Sequence, residues 1–157
     1  MSAKKARSMK GATAKVPTGL VKIGRDGEQR KVGAKSWELV YDQELNLYWP
    51  KEPTALDVTH AEAMTAAKAF TNDWLTAQGL KADAPTRRQL LSLVDDTRYD
   101  PAIDVRFFPG CPSSWFWTKT PYAPLRGYSW VVLFGGGGAY GLRRDGLFCV
   151  RAVCAGQ

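Results

Sequence analysis

Four groups of residues in this chain have side chain types that chemistry could use: the lone histidine His60, the carboxylates Asp95, Asp96, Asp100 and Asp104, the cysteines Cys111, Cys149 and Cys154, and the glycine run Gly135–Gly138. A histidine acting as general base needs a nucleophile within reach and a third group to orient it. No Ser-His-Asp or Cys-His set can be built around His60, which reads instead as a surface or packing residue at the start of a helix. Four carboxylates close together suggest a metal site or an acid-base pair. Here Arg98 and Pro101 interrupt them, and the spacing and glycine of a calcium loop are missing. Aspartates bonding backbone groups in the turn after a helix is the better reading. Three scattered cysteines are too few for a disulfide scaffold or a zinc site and allow at most one pair, so they read as buried or incidental thiols made in a reducing compartment. The glycine run lacks a following Gly-Lys-Ser/Thr and opens no helix, so it is not a phosphate loop. The expectation is a non-enzymatic protein with no cofactor and no metal.

Composition bounds the rest. At 157 residues and 45% hydrophobic content, the chain suits one domain with a sizeable core plus a tail. No apolar run is long enough to span a membrane. No apolar stretch follows the first basic residues, so no secretory signal is expected, and synthesis in the cytoplasm is. The net charge of +7 is unevenly placed: residues 1–35 carry ten basic residues against Asp26 and Glu28. Such an arm can touch acidic partners through charge alone. Its first residues hold no aromatic side chain to stack on bases, which disfavours nucleic acid.

The elements that must position any site follow from pattern. "TGLVKIG" and "QRKVGAK" flank the turn signal Asp26-Gly27 and predict a hairpin over Thr18–Lys35. "SWELVYDQELNLYW" predicts a second hairpin turning at Gln43–Asn46. The period then changes: Ala63, Ala66, Ala67, Phe70, Trp74 and Leu75 recur at spacings of three and four. This predicts one helix capped at Thr59, with Glu62 completing a capping box, and stopped at Gly79. Thr86 and Gln89 open a second helix whose Leu90, Leu91 and Val94 face the core. "SSWFWTKT", "YSWVVLF" and "FCVRAVC" read as strands. Alternation puts Trp115 and Trp117 on one face of the first of these, taken as core, and Phe116 on the other, taken as near the exposed face. Helices followed by antiparallel strands make an α+β domain.

Four blocks carry a resemblance: "PTRRQLLSLVDDTRYDPAID", "FFPGCPSSWFWTKTPYA", "YSWVVLF" and "CVRAVC". Together, in this order over about Leu39 to Cys154, they resemble the Lcl C-terminal domain family. The resemblance implies a C-type lectin-like fold, with two helices on a small, mostly antiparallel sheet and paired N- and C-terminal strands. The chain departs from the family at "KADAPT", where an acidic or Trp-Arg run is usual. It lacks a cysteine in the first helix and has Ala152 in place of its partner, which leaves the family's disulfide in doubt. Calcium-dependent sugar binding would need carboxylate–amide pairs such as "EPN" or "WND", and neither is present. The oxygenases of this fold need a cysteine pair or iron-binding histidines, also not found.

Some proteins of this fold are variable proteins of diversity-generating retroelements, phage tropism determinants among them. Their C-terminal asparagine-type codons are randomised at adenines and cannot yield Lys, Glu, Gln, Met or Trp. Those five types make up 30 of the 157 residues, yet none falls between Val131 and Val153, where about four are expected. Two readings of this segment stand side by side, a diversified surface or an ordinary glycine-rich loop. On the first, the ligand-contacting residues are Phe116, Leu125, Arg126, Tyr128, Gly136, Gly138, Tyr140, Leu142, Arg143, Arg144, Asp145, Leu147 and Phe148, with tyrosine and arginine as anchors. The implied partner is a protein or surface receptor. The organisation expected is a flexible basic arm (1–17), a hairpin or attachment segment (18–36) and a C-type lectin-like domain (37–157). The arm would serve a homo-oligomer or a phage-tail assembly, and the protein would then enter a virion. The alternative is a structural or adhesion component of such an assembly without diversification.

Overall fold

The computed structural model describes residues 19–157, so the arm (1–17) and Thr18 lie outside the described residues. Eleven strands and three short helices are described. The first part holds β1 (Leu20–Ile23), β2 (Gln29–Arg30), β3 (Leu39–Asp42), β4 (Leu47–Pro50) and β5 (Ala55–Val58). Then come α1 (His60–Ala69), α2 (Asp73–Ala77), β6 (Ala82–Asp83) and α3 (Arg87–Leu91). The last part holds β7 (Trp115–Pro121), β8 (Tyr128–Leu133), β9 (Ala139–Arg143), β10 (Phe148–Val150) and β11 (Val153–Ala155). The chain is α+β, with antiparallel-rich sheets and little helix.

Both early hairpins form where turn chemistry places them. β1 pairs with β2 around Asp26-Gly27, and β3 pairs with β4 in the register Val40↔Trp49. In the second turn the Asp42 carboxylate accepts from the Glu44 and Leu45 amides at 2.9 and 3.1 Å. The first hairpin is joined to the second. β1 pairs along its length with β3, and Lys22 is buried with its ammonium 3.6 Å from the centre of the Trp37 ring.

Two sheets result. One has the order β2-β1-β3-β4-β11-β6, the other β5-β10-β7-β8-β9. All pairings are antiparallel except β10 with β7, where Cys149 lies opposite Phe116. The last strand, β11, pairs with β4 (Cys154↔Tyr48) and β6, not with the first strand β1, which pairs with β2 and β3. The main core between elements gathers Trp49, Leu90, Ile103, Phe107, Phe116 and Phe134. A second core under α1 contains Ala63, Ala67, Trp117, Val131 and Val150, and a third under α2 contains Ile23, Leu39, Leu75 and Cys154.

The structure corrects four further expectations. The helix predicted to run to Gly79 is two helices: Phe70 leaves helical geometry at φ −63°, ψ 130°, and Asn72 restarts it by accepting from the Leu75 amide at 3.0 Å. The physical cause is the side chain of Asn72, which offers the backbone a cap in place of helix continuation. The capping boxes at Thr59/Glu62 and Thr86/Gln89 form as expected. The strand "FCVRAVC" is also two pieces, β10 in one sheet and β11 in the other, with Arg151 and Ala152 making the crossing. The segment expected to be loop contains β9, paired with β8 over five positions. Finally, the helices pack on two sheets rather than one.

Candidate functional site

The groups named for chemistry have structural partners. His60 places Nε2 3.0 Å from the Thr118 carbonyl and its ring edge-on to Trp117. Burial pushes its pKa below the ordinary histidine value, against the opposing pull of that hydrogen bond. Asp95 accepts from the Thr97 amide and hydroxyl at 2.9 and 2.6 Å, as expected of a turn aspartate. Buried Asp104 is held by Arg98 at 3.2 Å and Arg106 at 2.7 Å. Among the described residues no group of three or more His, Cys, Asp and Glu side chains could hold a metal ion. All three cysteines are free and buried.

The surface site is built on the hairpin β8–β9. Its register sets side chains in pairs: Tyr128 beside Arg143, Ser129 beside Leu142, Trp130 beside Gly141, and Val131 beside Tyr140. Because side chains alternate, β9 presents Tyr140 and Leu142 to one side of this pairing and Gly141 and Arg143 to the next. Tyr140, 46% exposed, stands edge-on to Trp115 at 5.2 Å between ring centres. Half-buried Phe148 continues this row to Trp115 and Trp117, at 6.2 and 4.9 Å. Leu142 packs at its inner edge.

A second aromatic row is ordered by Tyr122, which lies against Gly141. A Cβ at position 141 would come within 2.3 Å of the Tyr122 ring, so only glycine lets the ring lie there. Tyr122 then packs edge-on to Trp130 at 4.9 Å, and the Arg87 guanidinium caps Trp130 at 4.1 Å. Tyr128 and Arg143 extend this row to the strand end. There Arg143 pairs with Asp145 at 2.7 Å, both side chains mostly exposed. The Leu125–Gly127 loop meets the Arg144 turn through the Arg144 amide, which donates to the Gly127 carbonyl at 3.0 Å. Leu125 and Leu147 expose half or more of their surface.

The structure therefore brings Leu125, Arg126, Tyr128, Arg143, Asp145 and Leu147 to one end of the hairpin, with Tyr140, Leu142 and Phe148 in the adjoining row. It separates others from them. Phe116 is fully buried, packed edge-on to Phe134, which corrects its placement near the exposed face. Both faces of β7 are covered at that point, so Phe116 and Trp117 are equally closed off. Trp115, at the strand's start, is the residue left half-open. Gly136 and Gly138 lie in the turn at the opposite end of β9. There Gly137, at φ +94°, leaves 2.9 Å between a would-be Cβ and Val94, and the Gly135 carbonyl accepts from the Asp100 amide at 2.9 Å. Gly138 does touch the site, since Tyr140 folds its hydroxyl over it. Arg144 is a support: its Nε donates to the buried Ser129 hydroxyl at 2.8 Å, and its carbonyl accepts from the His60 amide at 3.0 Å. Sequence reasoning missed Trp115 and Tyr122 as site residues. The signal for Trp115 was its position at a strand end; Tyr122 had none, because Gly141 is one of several glycines in a segment that carries no strand pattern.

An α+β domain with closed cores and an outer hairpin bearing aromatic and ionic side chains is the class of protein defined here. The Lcl C-terminal domain profile matches residues 38–154, most of the chain, and the chain belongs to the Lcl C-terminal domain family. Comparison with curated proteins gives no match. Family membership suggests a binding or adhesion-related role.

Proposed function

We propose that this chain is a non-enzymatic display module of C-type lectin-like fold that binds a protein or surface receptor through the β8–β9 hairpin and its flanking turns. The surface would be diversified by a diversity-generating retroelement. One observation carries the reading. Within the window that lacks Lys, Glu, Gln, Met and Trp, side chains sort by position: Tyr140, Arg143, Asp145 and Leu147 are exposed, while Val131, Val132, Phe134 and Val150 are closed. A set of outward residues can then change without disturbing the core. Trp115 and Tyr122 act as fixed supports that hold Tyr140 and the β9 backbone in place. The protein would be made in the cytoplasm and joined through its basic arm to an oligomer or a phage tail.

A second reading has its own support. Gly137 and Arg144 are tied into the scaffold, as a fixed structural or adhesion component of an assembly would require. The DNA beside the gene separates the two. A near-copy of the 3′ coding segment differing only at adenines, next to a reverse transcriptase gene, is the expected finding. A locus with neither feature overturns diversification and leaves the fixed component.

A further inference from the structure

We infer that the cavity of about 640 Å³ between the α1–α2 break and the β6–β11 edge binds a small amphipathic organic anion, a carboxylate or sulfonate carried on an aromatic or aliphatic body. It lies under α2, on the six-stranded sheet, whereas the display surface belongs to the five-stranded one. Its size falls in the range of pockets that enclose small molecules. Phe70, Leu75, Leu80, Ala82 and Cys154 give it an apolar lining, of which Leu75 and Cys154 are 2% exposed. That lining favours an apolar body over a bare inorganic anion.

The charge at the rim sets the sign of the ligand. Lys68 and Lys81 line the cavity and are exposed. Among the described residues neither forms an ion pair. Asp83 also lines it, but its carboxylate is held by Lys119 at 2.8 Å. Asp83 also feels the charge of Lys68, so the rim sets Lys68 and Lys81 against one carboxylate that Lys119 already bonds, and it stays net positive. The same charge argues against the chain's own arm as occupant: residues 1–18 carry Lys4, Lys5, Arg7, Lys10 and Lys15 and no acidic residue.

The test is a calorimetric titration of the full chain with 2-naphthoate, beside the neutral 2-naphthylmethanol. Naphthoate is expected to saturate at one molecule per chain, slow alkylation of Cys154, and bind several-fold more tightly than the alcohol. Thr76 is exposed on α2 and lines the cavity, so Thr76→Trp fills it from outside the core and should abolish binding. A Lys68→Ala/Lys81→Ala double variant should weaken binding about fivefold, the sum of two exposed ion pairs. No saturable binding, equal binding of the alcohol, or binding unchanged in both variants would overturn the inference. Displacement of naphthoate by a synthetic peptide of residues 1–18 would also overturn it, by giving the cavity to the arm.

Discussion

Arg151 holds its guanidinium in a place closed to water. It is fully buried, donates through Nη1 to the Pro50 and Lys51 carbonyls at 2.8 Å each, and lies 4.7 Å over the Phe108 ring. Lysine at this position keeps the charge but loses the planar stacking and the fixed fork. Arg151→Lys is therefore expected to cost about 2 kcal/mol in urea unfolding, and no loss would refute the role given to the fork. Gly141→Ala makes a different demand, because its methyl must push the Tyr122 ring off Trp130. The expected result is a changed near-UV circular dichroism spectrum with a stability loss of about 1–2 kcal/mol. An unchanged spectrum would mean that Tyr122 does not lie against Gly141. Burial pushes the Cys154 thiol up to about 11 from an unfolded value near 9.0. Between those values the folded chain holds a proton that the unfolded chain has released, so stability is present below about pH 9 and falls as pH rises toward 11. Alkylation of native Cys154 should accordingly stay slow at about pH 8.5, near the ordinary thiol pKa, and become fast on denaturation. Equal rates in the two states would contradict this.

At the scale of elements, short helices depend on their caps. α3 has five residues, and its Thr86 hydroxyl accepts from the Gln89 amide at 3.1 Å while the Gln89 side chain accepts from the Thr86 amide at 2.9 Å. Thr86→Ala should cost about 1 kcal/mol and loosen Arg87 from Trp130, readable as a shift in tryptophan fluorescence. Elements of this kind were legible because their signals are local: a cap followed three residues later by Glu or Gln, an Asp-Gly turn, alternation in β7 and β8. The misread elements depended on tertiary partners. Nothing in the helical period of residues 60–79 marks Phe70 as the point where the chain leaves one core for the next, though Asn72 was a cap in waiting. β9 hides in glycine-rich sequence because its pairing to β8, not its propensity, makes it a strand. Parity places Phe116 opposite the two tryptophans of β7, but parity says only which residues share a face, not whether that face is covered.

For the molecule as a whole, the family resemblance read from four blocks matches the family to which residues 38–154 belong. The chain crosses between the two sheets after β4, β5, β6 and β10, the last time at Arg151 and Ala152, and the sheets divide the labour. The six-stranded sheet ties the early hairpins to the last strand and floors the cavity under α2. The five-stranded sheet holds the outer hairpin and its aromatic row. Which outward residues could form a site was partly legible: Tyr140, Arg143, Asp145 and Leu147 are exposed as the composition of the segment suggested, whereas Phe116 is buried, Gly136 is exposed at the opposite end of β9, and Arg144, though exposed, is tied to Ser129. That division gives the display reading its sharpest test, the sequence of the C-terminal coding region across many isolates. Substitutions are expected to crowd at Tyr140, Arg143, Asp145 and Leu147, with Trp115, Phe116, Gly137, Gly141 and Arg144 constant. Uniform constancy, or variation that falls on the supporting residues as often as on the exposed ones, would contradict it.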